Sequence, residues 1–329
     1  MSATLPAFEV MRPATIDEAV AICHAQPGAR YLAGGTDLIV NLRRGLGAPP
    51  ALIDLSRVDE LGELRCGTEG ARIGAGVRIA DLAADPSIGR CYPALRDAAL
   101  SVAAPGHRNL ATVGGNLCLD TRCIYYNQSA WWRESNGMCL KYGGAICHVA
   151  PEGGRCHAAF SGDLAPAMLV LGAEAQIAGP GTRRWIALSD LYADDGRAHL
   201  PLAPDELITA VTLPPGPAHC GYAKVRLRGA FDFPLAGVAM ALAAADGVLS
   251  TLRVALTGTG SRPVLVEGTA ALLGRTVDEA ALTDLDKLVQ RQVRAKRTTL
   301  TQAGYRRTAA GALARRLLGS LAAAHRSGE

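Results

Sequence analysis

Arg30-Tyr31-Leu32-Ala33-Gly34-Gly35-Thr36-Asp37-Leu38-Ile39-Val40-Asn41-Leu42 is the stretch from which the rest of the chain can be read. An apolar run reaches a Gly-Gly pair, a helix-compatible run starts directly after it, and another apolar run follows at 51–55. This is the pattern of a strand–turn–helix–strand unit whose turn delivers the chain to a helix N-terminus. Glycines there let successive backbone N–H groups converge on an anion, and the helix end adds partial positive charge. Upstream, Thr15-Ile16-Asp17-Glu18 has the spacing of a capping box, so a helix is expected from about residue 16 to the Gln26-Pro27-Gly28 break. Downstream, Thr112-Val113-Gly114-Gly115-Asn116 is a second glycine turn of the same kind. Taken singly, a Gly-Gly pair is most often just a turn. Neither G-x-G-x-x-G nor G-x-x-x-x-G-K-[ST] occurs, so neither a Rossmann site nor a P-loop is supported.

Around these turns the patterning predicts a hairpin over 63–77 and helices over 78–84 and 92–103. Regular structure resumes over 163–179, and strands are expected over 186–191 and 207–213. Pro214-Pro215-Gly216-Pro217 is the most linker-like tetrapeptide and is taken as the main boundary. Beyond it, 221–228, 238–245 and 251–256 suggest an antiparallel sheet with a hairpin at Asp246-Gly247. Helices over 269–273, 278–293 and 305–324 follow. A chain of 329 residues with 49% apolar and 19% charged residues reads as an α/β or α+β protein of two domains, or of one large domain with attachments. It has no apolar run of membrane-spanning length and no export signal at its start, so a cytoplasmic location with no membrane association is expected. A net charge of +4 gives no reason to expect nucleic acid as a partner. The C-terminal basic residues, among them Arg291, Arg294, Lys296 and Arg306, read as a solvated helix face, with a subunit-docking surface second.

Nine cysteines in such a chain are expected as reduced thiols. Five of them, Cys118, Cys123, Cys139, Cys147 and Cys156, fall in one stretch at separations of 5, 16, 8 and 9. Zinc, an iron–sulfur cluster and an inert thiol core all remain open on composition. The absence of C-x-x-C disfavours a zinc ribbon, and wide spacing is compatible with four thiolates wrapping a cubane. Tyr125, Tyr126, Trp131, Trp132 and Tyr142 would give such a centre a hydrophobic shell.

Three motifs, Ala33-Gly34-Gly35-Thr36-Asp37-Leu38, Arg108-Asn109-Leu110-Ala111-Thr112-Val113-Gly114-Gly115-Asn116 and Gly162-Asp163-Leu164-Ala165-Pro166, together resemble the FAD-binding subunits of the molybdenum hydroxylases. The resemblance extends through Tyr222-Ala223-Lys224 and Tyr305-Arg306-Arg307. It implies an α+β fold: a two-part FAD-binding domain of the vanillyl-alcohol-oxidase-like type (1–57 and 58–214) and a C-terminal domain (218–329) of antiparallel sheet with helices. It also implies that Arg30, Tyr31, Leu32, Ala33, Gly34, Gly35, Thr36 and Asp37 lead to and face the flavin pyrophosphate. Thr112, Val113, Gly114, Gly115 and Asn116 would form a second phosphate and ribose loop, Asp163 would bind ribose, and Lys224 would approach the isoalloxazine. Val102 and Ile208 are weaker carry-overs as lining residues. Most members cross from the second motif to the third by a short loop, whereas 46 residues, 117–162, intervene here. Cys118-Leu-Asp-Thr-Arg-Cys123-Ile-Tyr-Tyr-Asn-Gln-Ser with Trp131-Trp132-Arg133 resembles the inserted segment of 4-hydroxybenzoyl-CoA reductase β subunits. That resemblance implies a [4Fe-4S] cluster on Cys123, Cys139, Cys147 and Cys156, with Cys118 spare. The implied partners are a molybdenum-cofactor large subunit, a small subunit with two [2Fe-2S] clusters, and ferredoxin as donor. The implied activity is reductive dehydroxylation of 4-hydroxybenzoyl-CoA, with substrate chemistry on another chain. The rivals are a hydroxylating subunit that passes electrons to NAD or oxygen, and a zinc scaffold.

Overall fold

In the computed structural model, which describes residues 4–217 and 219–328, the decisive stretch forms the expected unit. Strand β1 (Glu9–Met11) precedes helix α1 (Ile16–Ala25), and β2 (Arg30–Leu32), helix α2 (Leu38–Arg43) and β3 (Ala51–Asp54) follow. The strands form a parallel sheet in the order β1-β3-β2, with Val10 opposite Leu52 and Tyr31 opposite Ile53. The capping box is real: the Glu18 N–H donates to Thr15 Oγ1 at 3.2 Å, and Glu18 Oε2 accepts from Ala14 N, one residue ahead of the usual partner, at 2.7 Å. Buried Ile16, Ala19, Val20 and Cys23 are the apolar face that spacing assigned to this helix.

The second layer is a five-stranded antiparallel sheet in the order β4-β5-β8-β6-β7. The hairpin is β4 (Leu64–Gly67) with β5 (Gly70–Gly74). Helices Pro93–Ser101 and α3 (Val113–Leu117) follow, then α4 (Leu164–Val170), β6 (Glu174–Gly179), β7 (Thr182–Ala187) and β8 (Leu207–Leu213). The strand expected over 186–191 lies earlier, because the turn at Gly181, with φ of 65°, starts β7 at Thr182 and the chain enters a 3-10 turn at Leu188. Strand β7 is a polar edge, so its alternation is hidden among arginines.

The third sheet, β12-β11-β10-β9, is antiparallel: β9 (His219–Val225), β10 (Ala236–Ala245), β11 (Val248–Thr257) and β12 (Val264–Leu265). Asp246 and Gly247 make its hairpin with φ of 50° and 72°, the positive pair that a two-residue turn of this hand needs. Helices α5 (Glu279–Gln292) and α6 (Ala303–Gly328) cover this sheet, burying Leu285, Val289, Leu313 and Leu318 against Val238, Met240 and Val254. No helix among the described residues is long and apolar enough to cross a membrane.

Candidate functional site

Strand β2 carries the chain into the first glycine turn. Gly35 has φ of 69°, which L-residues avoid, and a Cβ on Gly34 would overlap the Leu110 carbonyl. The first turn therefore rests directly on the segment that leads into the second. Among the described residues, the N–H groups of Gly34, Gly35, Thr36, Asp37 and Leu38 make no hydrogen bond within the chain. Consecutive free donors in a half-buried turn are the equipment for an oxyanion. The second turn differs. Val113 N donates to Val77 O (2.9 Å), Gly114 N to Ala75 O (2.8 Å) and Gly115 N to Thr112 Oγ1 (3.1 Å), so its donors are spent on the fold. The Asn116 side chain accepts from Leu164 N at 3.1 Å and so ties this turn to the third motif.

Asp163 is 4% exposed at the head of α4. Its carboxylate accepts from Tyr222 OH at 2.6 Å and from Lys224 Nζ at 3.0 and 3.2 Å. The residues expected at the ribose and at the isoalloxazine are thus one buried ion pair. Burial raises the Asp163 carboxyl above its usual range against the opposing pull of Lys224, and burial lowers Lys224. Tyr31 OH donates to Asp205 O at 2.9 Å, while Arg30 is exposed. Ile208 in β8 is 3% exposed and packs in the main core, as does Val102. Packing accounts for both.

The inserted segment forms a lobe closed at its neck by a two-way backbone pair, Arg122 N to Ala159 O and Ala159 N to Arg122 O, both 2.7 Å. Within it Cys123, Cys139, Cys147 and Cys156 line a single cavity with Tyr125, Tyr126 and Lys141. All four are buried and none is in a disulfide. Burial pushes the Cys123 and Cys156 thiols up to about 11, with neighbouring thiols of the set adding to it. Among the described residues no three His, Cys, Asp or Glu side chains are arranged to hold a single metal ion. The donor set is four soft thiols around a shared space, which suits a multi-iron cluster with one sulfur per iron. Cys118 is elsewhere, packed against the main core, where burial pushes its thiol up to about 12. His148 lines the cavity, but its Nε2 is 2.5 Å from the Met138 carbonyl. Trp131, expected in the shell, stands 72% exposed; Trp132 packs on Tyr125 at 6.0 Å.

Sequence reasoning missed the contacts that join lobe and turn. Asp37 caps nothing. Its carboxylate is ion-paired with Arg122 and accepts from Asp120 N at 3.0 Å. Arg122 also donates to Asn41 Oδ1 (2.8 Å), and Lys141 in the cavity wall donates to Asp120 at 2.6 Å. Burial lowers the Arg122 guanidinium to about 10, and its Nε is a buried donor with no partner among the described residues, beside the first turn. At the other end of α2, buried Arg133 donates to the carbonyls of Arg44 and Gly45, and Tyr142 OH donates to Gly45 O at 2.6 Å. One hint was legible: two of the chain's four Phe, Phe231 and Phe233, stand in a single loop. Both are exposed, Phe231 edge-on to His107 at 4.5 Å and Phe233 under Arg122 at 5.4 Å.

Residues 6–216 match the family described as the FAD binding domain in molybdopterin dehydrogenase, and 221–321 match the CO dehydrogenase flavoprotein C-terminal domain. The chain is 37% identical over 284 residues to the aldehyde oxidoreductase FAD-binding subunit PaoB of Escherichia coli (strain K12), covering 82% of this chain and 87% of that one. It is 27% identical over 312 residues to the carbon monoxide dehydrogenase medium chain of Afipia carboxidovorans, covering 94% of each. A crystal structure of Cu,Mo-CO dehydrogenase superposes with a TM-score of 0.79 at 26% identity, over 97% of this chain and 99% of that one. With both domains matched in order and the glycine turns in place, this chain belongs to the FAD-binding medium subunits of the molybdenum hydroxylase and CO dehydrogenase family.

Proposed function

We propose that this chain is the FAD- and [4Fe-4S]-carrying electron-transfer subunit of a molybdenum enzyme that reductively dehydroxylates 4-hydroxybenzoyl-CoA. The observation that carries the cluster is the convergence of Cys123, Cys139, Cys147 and Cys156 on one cavity, with Cys118 apart from it. When bound, FAD and cluster supply electron exchange between ferredoxin and the partner subunits that hold molybdenum and [2Fe-2S] centres. The chain's own residues hold and orient those groups. The first turn offers its unpaired N–H groups to the pyrophosphate. The second turn, its donors spent, braces the first and presents Thr112 and glycine surfaces. The Asp163–Lys224 pair fixes a charge-balanced polar spot beside Tyr222.

Anaerobically purified protein is expected to hold about four iron atoms per FAD. Zinc in place of iron would end the cluster reading. The substrate is tested separately, by benzoyl-CoA formation from reduced ferredoxin in the reconstituted complex. A second reading, electrons flowing out of molybdenum during aldehyde oxidation, is favoured by the 37% identity to an aldehyde oxidoreductase subunit. Aldehyde-dependent flavin reduction in the same complex would select it.

Two further outcomes follow. Gly34→Ala forces apart the two turns and is expected to destabilise the chain by about 1–3 kcal/mol and to abolish FAD retention on desalting, read by thermal melting and flavin absorbance. Replacing residues 124–157 with a short Gly/Ser linker keeps the Arg122–Ala159 neck and the Asp37–Arg122 pair, and is expected to lose iron but keep FAD. Extending the excision through Arg122 leaves Asp37 without its cation, and FAD retention is then expected to fall. Equal FAD content in the two deletions would show that the pair does not support the flavin turn.

A further inference from the structure

A second cavity, of about 380 Å3, lies between the returning arm of the lobe and the C-terminal domain, and none of the flavin-turn residues or the four lobe thiols lines it. One wall is the loop Thr259-Gly260-Ser261-Arg262. Thr259 and Ser261 are 2% and 1% exposed, yet among the described residues the backbone N–H groups of all four loop residues make no hydrogen bond. Buried backbone donors are nearly always paired, so those of Thr259 and Ser261 call for an acceptor from the cleft, with half-buried Gly260 and exposed Arg262 adjoining them. The first glycine turn shows the same signature: a run of consecutive unpaired donors in a Gly/Thr-containing turn.

The charge of the cleft points the same way. Arg262, Arg291, Arg294 and Lys296 line it, are exposed, and hold no ion pair among the described residues. Arg155 is held by Asp194 at 2.9 Å, which accounts for one of the two lining carboxylates and leaves only Glu267. Four free cations thus face one free carboxylate. The rim is built rather than loose. Arg306, expected from sequence on a solvated face, is 1% exposed and donates to Lys296 O (3.1 Å), Thr298 Oγ1 (2.7 Å) and Leu235 O (3.0 Å), pinning the segment that carries Lys296.

We propose that this cleft is a binding site for a phosphate-bearing small molecule, a di- or triphosphate being the group that fits. Successive N–H donors with a Thr hydroxyl wrap phosphate oxygens, and guanidinium groups meet phosphates by paired hydrogen bonds. The Ser261 hydroxyl is already given to the Cys156 carbonyl at 3.2 Å, which holds the loop in place. The volume is that of a small-molecule pocket. A di- or triphosphate balances the four cations as a single phosphate does not.

The test uses the full chain with FAD saturating, so that the flavin turns are filled, and inorganic pyrophosphate as the calorimetric probe. Saturable binding at one site is expected, persisting against sodium chloride of matched ionic strength. The double variant Arg291→Glu/Arg294→Glu is expected to weaken it at least about tenfold while flavin absorbance stays unchanged. Arg43→Glu/Arg57→Glu makes the same change in net charge outside the cleft and is expected to bind as the parent does. No saturable binding, equal loss in both double variants, or displacement by chloride alone would overturn the site. So would an acidic protein that needs Arg291 and Arg294 to bind while pyrophosphate does not, since the cleft would then be a protein-docking surface.

Discussion

Alanine at any one of Cys123, Cys139, Cys147 or Cys156 is expected to strip the chain of iron, while Cys118→Ala leaves iron content at the parent level. The four thiols share one cavity, and a cubane that loses one of four protein thiolates loses an iron's anchor. Cys118 packs against the main core with Tyr192 nearby, and deleting its sulfur there costs a small cavity. Iron and acid-labile sulfide are the measurements, with FAD content as the control for folding. Iron-free Cys118→Ala protein that still holds its flavin would mean that the ligand set is misassigned.

Lys224→Met is expected to destabilise the chain by about 3–5 kcal/mol, because it breaks a buried ion pair and strands its carboxylate. Asp163 is 4% exposed, and without the ammonium its carboxylate keeps only the Tyr222 hydroxyl as a strong donor. A buried carboxylate in that condition takes up a proton, so its range rises further than burial already pushes it. Adding Asp163→Asn to Lys224→Met removes the stranded charge while keeping an acceptor for Tyr222, and most of the lost stability should return. Urea unfolding of both single variants and the double variant gives the coupling directly. If the double variant is as unstable as Lys224→Met alone, the stranded charge is not the cause and lost packing of the lysine stem is.

Much of the fold was legible because it is locally determined. Thr15 and Glu18, the Gly34-Gly35 turn, Asp246-Gly247 and the alternation of β10 each act over a few residues, and the structure follows them. Strand β1 has three residues, too few to show a period, and exists because β3 offers it a parallel edge. The sequence motifs nominate candidate site residues but do not reveal how those residues pair. Asp163 and Lys224 are 61 residues apart, and Asp37 meets the Asp120 backbone across 83. An acid in a turn proposed to hold a pyrophosphate makes little electrostatic sense until Arg122 is seen beside it. Counting basic residues likewise cannot separate Arg306, spent inside the fold, from Arg291 and Arg294, which are not.

Helix α2 spans only six residues, about 9 Å of rise. Its first turn receives the first glycine turn and, through Asp37, the lobe neck; its far end receives Arg133 and Tyr142 from the lobe interior. One short element is therefore tied at its start to the first glycine turn and at both ends to the lobe, and thermodynamic reciprocity applies to whatever ligands the two hold. If the turn holds FAD and the lobe a cluster, as proposed, the factor by which one changes the affinity for the other is the same in both directions. On the proposed function, loading of the two sites is coupled through this helix, and FAD affinity measured with and without iron in the lobe gives that coupling.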